Sequence, residues 1–112
     1  MKIEHFETEE LIAGLVEATL KNVEDVSNDF GDSVLFTFDI KDKGGHAVND
    51  MRLYCSAIIS GRSKLGKLVK SLGVKDVSKI TDTQDLKKLV GKTTVLHAYQ
   101  NAEGYNRLKL AE

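Results

Sequence analysis

The sequence predicts a mainly β protein: a single five-stranded Greek-key barrel, with one helix and a short second helix between strands three and four. Three observations carry this expectation. Residues 33–41 alternate Val34, Phe36, Phe38 and Ile40 with Ser33, Leu35, Thr37 and Asp39, so large apolar side chains share one face of a strand. Residues 63–72 change period: Leu65, Leu68, Val69 and Leu72 fall at i, i+3, i+4 and i+7, the apolar stripe of a helix lying on a core. Residues 92–110 read as a hairpin with arms 93–99 and 105–110. Its connection, Gln100–Gly104, ends on a glycine where hairpin loops often need positive φ.

The 112 residues fit one domain spanning residues 1–112. A hydrophobic share of 41 % and a charged share of 29 % are ordinary for a soluble globular chain. No apolar run approaches the length of about 18 residues that a transmembrane helix needs, so no membrane partner is expected. The first residues, Met1-Lys2-Ile3-Glu4-His5-Phe6-Glu7, are acidic and lack the apolar core of a signal peptide. Cys55 is the only cysteine, which excludes an internal disulfide and suits a reducing compartment; the expected location is cytoplasmic. The net charge of −1 hides an asymmetry. Residues 1–50 hold 12 acids and 4 bases, and residues 51–112 hold 5 acids and 12 bases. Either the basic half forms one face and attracts a polyanion, or the fold mixes the halves and cancels the field.

Taken in order, residues 1–12 read as an acidic lead-in. Strand one runs from Gly14 to about Val26, with Val16, Ala18 and Leu20 on one side and Glu17, Thr19 and Lys21 on the other. Val23 and Val26 break this phase, as a bulge after Lys21 would. Ser27–Asp32 is a turn by composition, followed by the alternating strand 33–41. Asp42–Gly45 closes a hairpin onto a third strand of residues 46–59. Met51, Leu53, Cys55 and Ala57 are expected inside that strand, and Arg52, Tyr54 and Ser56 outside. Cys55 in the inward series reads as a small core residue rather than a nucleophile. Ser63 caps the helix and Gly73 ends it, with Lys64, Lys67 and Lys70 on the polar side. After a link of residues 74–80, Thr81 and Gln84 have capping-box spacing before a short helix carrying Leu86, Leu89 and Val90, stopped by Gly91.

Five strands with a helix after the third is the order of the OB-fold, a small, partly open Greek-key barrel. Three stretches resemble small proteins of bacteriophage and prophage replication modules: Leu65-Gly66-Lys67-Leu68-Val69-Lys70-Ser71-Leu72-Gly73, Asp85-Leu86-Lys87-Lys88-Leu89-Val90-Gly91-Lys92 and Tyr105-Asn106-Arg107-Leu108. The resemblance implies an OB-type domain that binds single-stranded DNA. The closing Leu110-Ala111-Glu112 departs from the acidic tail of many bacterial single-strand-binding proteins.

Such domains hold unpaired strands by stacking bases on aromatic rings and neutralising phosphates with lysine and arginine. The expected interface residues are Arg52 and Tyr54 on strand three, Lys64, Lys92, Tyr99 on strand four, and Tyr105, Arg107 and Lys109 on strand five. The facing of strand four stays open, because Val95, His97 and Tyr99 form one series and Leu96 and Ala98 the other. His5, His46 and His97 are scattered, so no zinc site is expected. Asp39, Asp42 and Asp50 read as solvated turn residues around a hairpin. No cofactor and no catalytic activity are expected. The expected function is non-specific single-stranded DNA or RNA binding in phage or prophage DNA replication or recombination. The alternative is an OB-type interaction module that dimerises through a strand edge.

Overall fold

The computed structural model describes residues 14–28, 31–60 and 62–111. The acidic lead-in, residues 1–12, lies outside them. Eight elements follow in order: β1 Gly14–Asn28, β2 Gly31–Lys41, β3 Ala47–Ser56, α1 Lys64–Ser71, a 3-10 turn Val77–Lys79, α2 Thr83–Lys87, β4 Thr93–Gln100 and β5 Asn106–Leu110. The strands form one antiparallel sheet in the order β3-β2-β1-β4-β5. Its two outer strands, β3 and β5, come into contact and make the sheet a nearly closed barrel.

β1 is the strand on which the others assemble. Residues 17–28 pair with β2, and residues 14–19 pair with β4 on the other side. The expected slip in its phase is a register shift between Leu20 and Asn22. Val16, Ala18, Leu20 and Val23 are all buried, so the extra residue, Lys21, lets the apolar series resume on the inner face. Leu20 then exchanges backbone bonds with Gly91 and Lys92, at 2.8 and 2.9 Å, which ties the start of β4 to the bend. The expected turn 27–32 is shorter than its composition implies. Ser27 pairs with Asp32 and Asn28 with Gly31, so both strands run into it.

β2 buries Val34, Phe36, Phe38 and Ile40 as its alternation requires. Leu35, expected outward, is also buried, at 8 % exposure, although it is not part of the core cluster. It lies between Glu24 and Tyr54 in register, and these long side chains share its outer face. β3 is shorter than expected: Met51, Leu53 and Cys55 are buried, but Ala57 falls beyond the strand and is exposed.

α1 packs Leu65, Leu68, Val69 and Leu72 into the core. Ser63 caps it, its hydroxyl oxygen accepting from the Gly66 amide at 2.9 Å. Gly73, at φ 103°, ends it. The Gly73 and Val74 amides donate back to Lys70 and Val69, at 3.0 and 3.1 Å, and satisfy the last carbonyls. The capping box of α2 is built on Asp82 and Asp85 rather than on Thr81 and Gln84. Asp85 is short enough to accept from the Thr81 amide and hydroxyl, both at 3.0 Å, and so takes the role expected of Gln84.

Candidate nucleic-acid interface

Strand four has two possible phases, and its neighbours decide between them. β1 presents Val16 and Ala18 inward, and these pair with Leu96 and Thr94. Leu96 and Ala98 are therefore buried, at 1 % and 0 % exposure, while Val95 is exposed. His97 and Tyr99 are half-buried on the outer face. β5 alternates in the same sense, with Asn106 and Leu108 buried and Arg107 and Lys109 exposed.

The register brings these outward groups into rows. Tyr99 pairs with Arg107, and His97 pairs with Lys109. The Lys109 ammonium lies over the Tyr99 ring, 5.2 Å from its centroid. That contact places an aromatic surface and a cation side by side. Lys109 must leave the ring for a base to stack there. An exposed cation–π contact is worth about 0.5–1 kcal/mol, whereas base stacking is worth about 1–3 kcal/mol. Such an exchange would gain between about 0 and 2.5 kcal/mol.

Tyr105 falls just before β5 rather than on it, and the connection is residues 101–105. Asn101 organises this loop. Its side-chain oxygen accepts from the Glu103 and Tyr105 amides at 3.0 Å each, and its amide donates to the Tyr105 carbonyl at 3.0 Å. Held this way, Tyr105 remains well exposed and lines a shallow cleft with Arg107 and the start of β3, Val48–Met51. Arg52, also exposed, follows on β3.

The remaining expected residues stand apart from this group. Tyr54 is on the outer face of β3, beside Leu35, and is half exposed. The Lys64 ammonium donates to the Tyr54 carbonyl at 2.8 Å, so it is engaged at the free edge of β3. Lys92 sits in the turn before β4, where its backbone pairs with Leu20.

Asp39 and Asp50 are solvent-accessible, as the sequence implied, but they lie within β2 and β3 rather than in a turn. Asn49 and Asp50 together oppose Asp39 at a register shift between β2 and β3. Asp50 has φ 60°, and its amide donates to the Asp39 carboxylate at 3.2 Å. Lys21 bridges the pair, 2.8 Å from Asp50 and 3.8 Å from Asp39. The hydrogen bond to Asp50, then the Asp39 charge, holds the Lys21 ammonium pKa above its ordinary value. The signal for this bulge was present in Asn49-Asp50, a polar break in a strand pattern made of residue types that tolerate the left-handed region. Asp42 belongs to the β2–β3 turn, where it accepts from the His46 amide at 2.9 Å. Partial burial raises its carboxyl pKa, but the His46 hydrogen bonds outweigh this and leave it below the ordinary value.

Cys55 is a core residue. Burial pushes its thiol up to about 11, against a smaller opposing effect of Lys64. Among the described residues, no group of three or more histidine, cysteine or acidic side chains is placed to hold a metal ion. Among the same residues, no helix is long and apolar enough to cross a membrane.

The fold and this surface define a small antiparallel β barrel that carries aromatic rings and cations on the outside of its last two strands. No protein-family model matches the chain, and no curated protein matches it.

Proposed function

We propose that this protein binds single-stranded nucleic acid along the outer face of β4 and β5, as part of phage or prophage DNA replication or recombination. The observation that carries the reading is the in-register placement of Tyr99 with Arg107 and of His97 with Lys109, with the Lys109 ammonium over the Tyr99 ring. Tyr99 and Tyr105 supply stacking surfaces, and Arg52, Arg107 and Lys109 supply phosphate contacts. The strand order, with β1 paired on both sides and β3 facing β5, supports an OB-type description of the barrel.

Dimerisation through a strand edge has less support. The free edges of β3 and β5 face each other, α1 packs against both strands, and Lys64 occupies the Tyr54 carbonyl on the β3 edge. A lysine at a sheet edge is a common guard against pairing with another chain.

The test is fluorescence anisotropy with a labelled, mixed-sequence single strand of about 16 nucleotides, the upper end of the site size for one such domain. Wild-type protein should bind at low salt. Tyr99→Ala should weaken binding about 5- to 150-fold, the loss of one stacked base. Absence of binding at low salt, together with a stable dimer by light scattering, would replace this reading with the interaction module.

A further inference from the structure

The cleft between β3 and β5 carries chemistry that phosphate binding does not need. We propose that it receives one unpaired base and favours a base with an exocyclic amino group over thymine, Asp50 being the group that reads it. The inference rests on the nucleic-acid reading above and specifies which part of the ligand goes where.

The cleft measures about 290 Å³, near the lower end of small-ligand sites, so it has room for one base and little more. Tyr105 stands at its rim with a largely exposed ring. Arg107 lies at one side and Asp50 at the other. A phosphate is attracted to Arg107 and repelled by Asp50, so at this cleft the phosphate belongs beside Arg107. What turns toward Asp50 is then the base.

Asp50 is placed for that role by the fold. Asp50 belongs to the bulge of Asn49 and Asp50 against Asp39 and lines the cleft, and bulges are common beside sites. The Asp50 backbone is in the left-handed region at φ 60° and is held there by the bond from its amide to Asp39. Lys21 contacts Oδ1 of Asp50, which leaves Oδ2 as an acceptor. A carboxylate accepts hydrogen bonds and does not donate. It matches the amino group of cytosine, adenine or guanine, and it meets a carbonyl oxygen at the corresponding position of thymine.

Oligo-dC and oligo-dT of equal length compare a 4-amino with a 4-oxo pyrimidine; because they differ also at N3 and in the thymine methyl group, the change in their ratio on Asp50→Asn, rather than the ratio alone, reports what Asp50 reads. Competition anisotropy at neutral pH should show wild type preferring oligo-dC about fivefold, the ratio set by one ordinary net hydrogen bond. Asp50→Asn keeps a residue type that tolerates positive φ and adds an amide donor, so both oligomers find a partner and the preference should fall toward unity. Its melting temperature reports that the fold is intact. Tyr105→Ala should weaken both oligomers together. Equal affinity of wild type for the two oligomers, or an undiminished preference in Asp50→Asn, overturns the base cleft while leaving nucleic-acid binding in place. Absence of binding to either oligomer at low salt overturns both.

Discussion

Replacing Arg107 with alanine should flatten the salt dependence of binding, and the change can be worked out from the structure. Arg107 is exposed and outward on β5, in register with Tyr99. Its removal should leave stability within about 0.5 kcal/mol of wild type. Arg52, Arg107 and Lys109 are the cations on the outward series of β3 and β5 around the seam. If each neutralises one phosphate of a single strand, log K should fall with log salt at a slope of about −2, at −0.7 per phosphate. Between 50 and 200 mM salt, wild type then loses about 18-fold in affinity, and Arg107→Ala, with a slope of about −1.4, loses about 7-fold. Anisotropy titrations at several salt concentrations measure the slope directly. Lys88→Ala is the control. That ammonium lies 3.7 Å from Asp85 beside α2, away from the seam, and its loss should leave the slope unchanged. Equal slopes for Arg107→Ala and wild type would refute the reasoning. So would an equal effect of Lys88→Ala, since binding would then follow a diffuse field rather than this surface.

Three further outcomes are expected. Gly66→Ala should destabilise the fold by about 1–3 kcal/mol in urea denaturation, although alanine usually gains about 1 kcal/mol over glycine in a helix. The added Cβ would lie 1.7 Å from the Ser60 carbonyl oxygen, and a gain in stability would show that this loop yields freely. Cys55 should react with a maleimide at neutral pH only after denaturation, because burial raises its pKa and shields it; rapid labelling of the native protein would contradict its placement in the core. The backbone hydrogen bond from Thr81, then its hydroxyl, holds the Asp85 carboxyl below its ordinary value of 3.8. Its stabilisation is therefore present above that value and is lost as pH falls through the lower folded-state pKa. Asp85→Asn should be less stable than wild type at neutral pH, and the gap should close in acid. A gap that does not change with pH would assign the loss to something other than this charge.

What could be read in advance was what local period determines. Val34, Phe36, Phe38 and Ile40 alternate without competition, and the α1 stripe has only one face to bury. β4 could not be read this way, because Val95 and Leu96 are both apolar and adjacent. The tie is broken by Val16 and Ala18 on β1, eighty residues earlier in the chain, which pair with Leu96 and Thr94. Leu35 escaped for a related reason: its burial comes from flanking side chains on an outer face, not from its own strand. The cap of α2 was misplaced by one residue because Thr81 and Asp82 are both good capping types, and only the observed bonds to Asp85 separate them. The cleft between β3 and β5 was hidden because it forms between strands distant in the chain, and in β3 the polar break Asn49-Asp50 reads equally as a strand end.

The half-chain charge asymmetry also changes meaning once the strands are in place. In the order β3-β2-β1-β4-β5, closed by the contact of β3 with β5, the acidic-half strands β1 and β2 are neighbours, and β4, β5 and most of β3 form the other arc of the barrel. Eight of the twelve late-chain bases fall between Lys64 and Lys92, on the helical connection, and only Arg107 and Lys109 lie on the last two strands. The cationic surface beside the tyrosines is therefore narrow. Across the seam it meets Asp50, which with Asp39 outnumbers the one Lys21 ammonium between them. A polyanion on this barrel has a lane of attraction with a repulsive border. On the proposed reading, that border would orient a bound strand at the cleft, its phosphate beside Arg107 and a base toward Asp50, whereas a uniformly basic face would leave that orientation undetermined.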